Sequence, residues 1–123
     1  MSEHSEQSLV IQWAKVHEGQ YPELEMLFAV PNAGKRSIGA ARYYLDEGMR
    51  AGIPDILLPI SHETQTGYIY IGLAIEMKFG KNKITEAQEW WLKHLAQYGW
   101  KTAVCYSANE TINVISNYLE IAT

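Results

Sequence analysis

A chain of 123 residues with 47% hydrophobic and 20% charged residues is long enough to bury one core and too short for two, which predicts one globular domain over 1–123 and excludes a disordered or collagenous protein. The formal net charge of −4 excludes bulk electrostatic coating of nucleic acid, yet nine of the ten basic residues fall between Lys35 and Lys101, so a local basic face is available. "MSEHSEQSLV" lacks the basic start and apolar run of a secretory signal, and no apolar stretch is long enough to span a bilayer; a cytoplasmic protein is the expectation.

In chain order, "SEQSLVIQWAKVH" (5–17) places Leu9, Val10, Trp13 and Val16 at helical spacing, with Ser5 as N-cap. "LEMLFAV" (24–30) reads as a strand that stops at Pro31, and "PNAGKR" supplies turn residues and two cations. The Ala-rich segment 37–51 predicts a helix closed by Gly52. "DILLPI" is a strand, "SHETQTG" a polar hairpin connection, and "YIYIGLAIEMKF" one long apolar strand. After the basic turn "GKNKI", a helix runs from Thr85 to Gly99, "KTAVCYS" is a strand, and "ANETINVISNYLEIA" a closing amphipathic helix. The order α, β, α, β, β, α, β, α predicts an α/β sandwich with a central mixed sheet flanked by helices.

The single Cys105, inside a strand, reads as a buried thiol rather than a nucleophile, and the four histidines lack zinc spacing. Neighbouring positions on a helix point in different directions, so of Trp90 and Trp91 at least one belongs to the core, and Trp91 is the one assigned there.

The chemistry converges on two carboxylates. Asp55 in "GIPDILLP" has an ordinary reading as a turn aspartate. A second acid, Glu76, lies on the strand that the polar connection folds back beside it, and adjacent antiparallel strands can bring both to one sheet edge. Glu76 and Lys78 are two apart in "IEMK" and leave the same face, while Met77 points to the other. Two carboxylates and a lysine suit metal-assisted phosphodiester cleavage: carboxylate oxygens match hard Mg²⁺ or Mn²⁺, which offset charge growing on the phosphate, and the lysine orients water. A surface Glu76–Lys78 pair is the bland alternative, but "GLAIEMKF" is apolar on both sides, and buried charges come with a partner or an ion.

Pro54-Asp55, then Glu76-Met77-Lys78, then Gln88 and Trp91 resemble the PD-(D/E)XK nuclease superfamily. Within it, "PNAGKR", "GMRAGIPDILLP", "LAIEMKF", "ITEAQEWWLKHLAQYGW" and "TAVCYS" follow in order the pattern of the VRR-NUC family, the virus-type replication-repair nucleases, over about positions 6 to 119. The resemblance implies the restriction-endonuclease-like form of the sandwich. It implies that Asp55, Glu76, the backbone carbonyl of Met77 and Glu6 of the first helix bind the metal, that Lys78 is the catalytic lysine, and that Gln88 contacts the lysine, water or phosphate. Glu6 also has a plain reading as an acid favoured by its helix dipole. Asn32, Lys35 and Arg36, with Lys81 and Lys83, are candidate contacts to DNA phosphate, which position the duplex without reading its sequence.

The function expected is a Mg²⁺- or Mn²⁺-dependent DNA endonuclease, a free-standing module resembling Holliday-junction resolving enzymes. One site per chain and two symmetric cuts predict a homodimer. A flap or nicking repair nuclease and a binding module without cleavage are the alternatives. A sequence-specific restriction-type nuclease is disfavoured, because no extra segment for reading base edges is visible.

Overall fold

The apolar run that ends in "IEMK" sets the architecture. In the computed structural model, which describes residues 2–31 and 38–122, it forms the central strand of a four-stranded sheet. The elements are α1 (Glu3–His17), a 3-10 turn (Pro22–Met26), β1 (Phe28–Ala29), α2 (Ile38–Asp46), β2 (Ile56–Leu58), β3 (His62–Glu63), β4 (Ile69–Tyr70), β5 (Gly72–Met77), α3 (Glu86–Gln97), β6 (Trp100–Cys105) and α4 (Ala108–Leu119). The sheet order is β1-β2-β5-β6. β1, β2 and β5 are antiparallel neighbours, β5 and β6 are parallel, and α3 makes the crossover that a parallel pair needs.

All six residues of β5 are buried, so both faces of the sheet are covered there. Ile56, Leu58, Leu73, Ile75, Met77 and Cys105 share one face and form a core with Val10 of α1 and Ile115 and Tyr118 of α4. Alternation sends Ala74 and Glu76 to the opposite face. On that side α3 packs against β5 and β6, with its Leu92 buried outside the first core. The mixed α/β sandwich with helices on both faces is therefore the fold expected.

Several boundaries differ from expectation, each for a local reason. Ser2, not Ser5, caps α1 by accepting from the Ser5 amide. The buried positions are Val10 and Ala14, while Val16 is 77% exposed, so the inward stripe runs through Glu6, Val10, Ala14 and His17. In 24–30 only Phe28–Ala29 is strand, because Pro22 starts a 3-10 turn that continues through Met26. α2 ends at Gly48 (φ +103), not Gly52: the Gly48 amide donates to Leu45 O and the Met49 amide to Tyr44 O, the paired bonds of a left-handed helix end.

The long strand foreseen over 68–79 bends at Ile71, and β4 pairs with β3 in a separate hairpin. Gly72 follows the bend because the Trp100 ring of the adjacent strand covers it: a Cβ there would meet the ring at 2.5 Å. Thr85 and Gly99 bound α3 as expected, with Thr85 as its N-cap. Cys105 is fully buried, and burial pushes its thiol above the usual range, which keeps it an inert core residue.

Tyr118 closes the far end of the core, its hydroxyl donating to Ile60 O. Burial pushes its pKa up to about 12, so the folded state favours the neutral phenol. This contribution is whole below the unfolded value near 10 and is lost as pH rises towards 12. Denaturant titrations across that window should show a shallower alkaline loss in Tyr118→Phe than in the parent; parallel curves would remove Tyr118 from the account.

Candidate active site

The route into β2 is built to hold one carboxylate still. Gly52 lies against Ala87 in the first turn of α3, Pro54 is buried, and Asp55 follows immediately before β2. The Asp55 carbonyl accepts from the Val30 amide at 2.8 Å, which fixes its backbone to the chain leaving β1. Its side-chain Oδ2 accepts from the Met77 amide, also at 2.8 Å. The carboxylate thus bridges to β5 and cannot swing into solvent without losing that bond.

The register completes the pairing. Ile56 lies opposite Ile75 and Leu57 opposite Ala74, so one further step along the antiparallel ladder sets Asp55 opposite Glu76 on the α3 side of the sheet. Glu76 is 2% exposed and Lys78 9%. Lys78 Nζ stands 3.8 Å from Glu76 Oε2, and the Lys78 amide donates to Cys105 O, which carries the β5–β6 ladder past Met77. Taking a carboxylate and an ammonium out of water costs several kcal/mol per ion in effective terms (roughly), and such pairs often stabilise less than an apolar pair of the same size would. A fold that keeps both charges in its central strand gains little stability from them, which points to chemistry.

The other residues expected at the site fall in three groups. Glu6 is on the inward face of α1, but its Oε2 accepts from the Ala108 amide at 2.8 Å, where it satisfies an otherwise unpaired donor at the start of α4. Among the described residues no three His, Cys, Asp or Glu side chains converge as a metal cluster. Gln88 forms a capping box with Thr85: its Oε1 accepts from the Thr85 amide at 2.9 Å, and its own amide donates to Thr85 Oγ1. The T-x-x-Q spacing "TEAQ" carried that signal in the sequence.

Lys81 and Lys83 are exposed in the loop between β5 and α3. Asn32, Lys35 and Arg36 lie outside the described residues.

The two tryptophans correct the expectation. Trp91 is half-buried rather than core; its Nε1 donates to Ala51 O at 3.1 Å and ties α3 to the segment that presents Asp55. Trp90 is exposed, stacks on His94 with ring centroids 4.0 Å apart, and meets Trp91 edge to face. Beside them a groove of about 930 Å³ separates the end of α2 from α3.

An all-oxygen pair from Asp55 and Glu76, with the Met77 carbonyl next in the chain after Glu76, is the donor chemistry that a hard divalent ion takes. Burial of the Glu76 carboxylate in the sheet, beside the partly buried Asp55, gives an ion a stabilising role there.

The family model of the VRR-NUC domain matches residues 1–109. A solved structure titled "VRR_NUC domain protein" superposes with a TM-score of 0.78 at 26% sequence identity, covering 99% of this chain and 91% of that one. No curated protein matches the chain. Among the described residues no helix is long and apolar enough to cross a membrane. With the domain model spanning most of its length and the fold shared end to end, the chain belongs to the VRR-NUC family, and its domain is that of a nuclease.

Proposed function

We propose that this protein is a metal-dependent DNA endonuclease that acts on branched DNA, with a four-way junction as substrate and a homodimer as the acting form. The observation that carries the reading is the opposition of Asp55 and Glu76 across β2 and β5, with Lys78 buried 3.8 Å from the Glu76 carboxylate. Asp55, Glu76 and the Met77 carbonyl would hold Mg²⁺ or Mn²⁺, which when bound offsets negative charge at the scissile phosphate and makes water more acidic.

The chain's own residues do the rest. The Met77 amide fixes the Asp55 carboxylate, so the donor pair is preorganised before DNA arrives. Lys78 places a cation beside Glu76, where its ammonium donates to the attacking water and to the phosphate oxygen that gains charge. Lys81 and Lys83 hold the DNA backbone from the exposed loop between β5 and α3, and Asn32, Lys35 and Arg36 are assigned the same task. The products would be a 3′-hydroxyl and a 5′-phosphate, as the superfamily resemblance implies. Gln88 would keep its capping bonds through Oε1 and offer its side-chain NH₂ to phosphate or water. Glu6 acts as a support for α4, and a direct part in metal binding is the lesser role.

The homodimer follows from the substrate. A four-way junction requires two cuts, and one chain carries one set of Asp55, Glu76 and Lys78.

The test is cleavage of labelled four-way junction, flap, splayed arm, linear duplex and single strand with Mg²⁺, with Mn²⁺ and with chelator. Paired symmetric cuts confined to the junction and lost with chelator are the expected result. Cutting at flaps or single nicks would replace the resolvase by a repair nuclease. Divalent-independent or absent cleavage of every substrate would retract the reading in favour of a binding module.

A further inference from the structure

An exposed tyrosine by itself signals nothing, since single apolar groups are scattered over every protein surface. Tyr106 differs in where the sheet puts it. In the parallel ladder Met77 lies opposite Cys105, and both side chains belong to the core shared with α1 and α4. The Lys78 amide donates to Cys105 O at 2.8 Å, so the pairing runs one residue beyond the strands and brings Lys78 and Tyr106 side by side. Strand alternation directs this next pair away from the core, to the face on which Glu76 lies.

The two neighbours then part in character. Lys78 is 9% exposed and stands by the Glu76 carboxylate, while Tyr106 is 45% exposed. The backbone of Tyr106 is nonetheless held on both sides. The Cys105 carbonyl before it is bonded to β5, its own amide donates to Glu110 Oε2 at 3.0 Å, and Ser107 after it caps α4. An aromatic ring on a fixed backbone thus meets solvent about 4.8 Å, one strand spacing, from the chain position of Lys78.

We propose that Tyr106 is the residue by which this protein recognises a branch: its ring stacks on the nucleobase left open at the branch point, next to the phosphate held at Lys78. The proposal rests on the branched-DNA reading above and supplies a contact which that reading lacks. Lys81 and Lys83 are assigned to the DNA backbone, and a linear duplex has the same backbone as a branched one. What a branch adds is an open base face. Inside a duplex every base is covered above and below, whereas the pair at a branch point has lost a neighbour. A flat aromatic side chain binds such a face whatever the base, because each base has a π-surface. Tyr106 lies where base and phosphate contacts fall on one nucleotide step.

The experiment measures equilibrium binding of the full chain, with chelator present so that no strand is cut, to a four-way junction, a flap and a linear duplex. Each DNA carries 2-aminopurine at the branch or at the matching duplex position. The parent, Tyr106→Phe and Tyr106→Ala are compared, with circular dichroism and denaturant midpoints to check that each folds. The parent should bind the branched forms more tightly and quench 2-aminopurine at the branch. Tyr106→Ala should lose about ten-fold in affinity for branched DNA and less than about two-fold for linear duplex, and should leave 2-aminopurine bright. Tyr106→Phe keeps the ring and should match the parent in both measurements.

A phenylalanine variant as weak as the alanine one would overturn stacking and give the role to the hydroxyl. Equal losses on branched and linear DNA would reduce Tyr106 to a general backbone contact, and an alanine variant that binds and quenches like the parent would remove it altogether. If the alanine variant does not fold, the parent and phenylalanine variant decide: a branch-point 2-aminopurine that stays bright with both sinks the proposal. A parent that binds linear duplex as tightly as a junction would overturn this proposal and the branched-substrate reading together. A parent that quenches as expected and cuts no substrate with Mg²⁺ or Mn²⁺ would retract the nuclease reading alone.

Discussion

Asp55→Asn should fold as the parent does and lose cleavage by roughly three orders of magnitude, whereas Asp55→Ala should lose cleavage equally and also about 1–2 kcal/mol of stability. The difference comes from the Met77 amide, which donates to Asp55 Oδ2 at 2.8 Å in a partly buried position. Asparagine keeps a carbonyl oxygen that can accept this bond. Alanine leaves the amide without its acceptor, at the cost of burying an unsatisfied donor. Neither retains the negative charge that a divalent ion needs opposite Glu76. Binding to DNA should persist or tighten in both, since removing a carboxylate lowers repulsion with phosphate. Denaturant midpoints, single-turnover cleavage and calorimetry with Mn²⁺ separate these effects. An Asn variant that cuts at the parental rate would remove Asp55 from the site, and an Ala variant as stable as the parent would show the Met77 bond to have no net worth.

The site's central geometry was legible in the sequence because it rests on strand alternation. Glu76 and Lys78 share a face since they are two apart, and the short polar link made the antiparallel pairing with Asp55 the natural one. Glu6 was less legible. Its helix was read from Leu9, Val10, Trp13 and Val16; Val10 is buried and Trp13 packs on the core, but Leu9 and Val16 prove exposed, so the inward stripe through Glu6, Val10 and Ala14 was only partly seen. A charge on that inward stripe requires a partner, and the amide of Ala108, 102 residues away, supplies it. No local pattern announces a bond of that separation. Gln88 is the reverse case: its capping box with Thr85 was written in four consecutive residues.

The elements that shifted are those where several signals compete. Glycines at both 48 and 52 were eligible to end α2, and only tertiary packing distinguishes them: Gly48 closes the helix, while Gly52 lies against α3. The apolar run 68–79 has no internal turn signal except Gly72, whose meaning depends on Trp100 across the ladder. Trp90 and Trp91 were separated by the expectation that neighbours on a helix diverge. Their rings are large enough to meet edge to face at 5.2 Å, and one of them reaches a backbone carbonyl on another segment. Long side chains weaken an argument drawn from Cα directions alone.

Gly52→Ala should be the most damaging single methyl in the loop before Asp55. Gly52 has φ +88, a conformation that costs an L-residue about 1–2 kcal/mol. Its added Cβ would also come within 2.7 Å of the Ala87 carbonyl carbon and 2.8 Å of Ala87 Cβ. The atoms it meets belong to the first turn of α3, so relief requires moving backbone, and overlap of this kind typically costs a further 1–3 kcal/mol, roughly. The strain has a direction. Pushing residue 52 away from Ala87 stretches the bond from Trp91 Nε1 to Ala51 O and displaces Asp55, three residues on, from the Met77 amide. A loss of about 2–5 kcal/mol should therefore accompany a fall in cleavage that restoring stability with low temperature does not repair. Gly48→Ala is the control, since Gly48 has φ +103 but nothing within 4 Å of the added Cβ. It should show the backbone cost alone. Equal losses of stability in the two variants would mean that the contact with Ala87 exerts no force, and that α3 does not hold Asp55 in place.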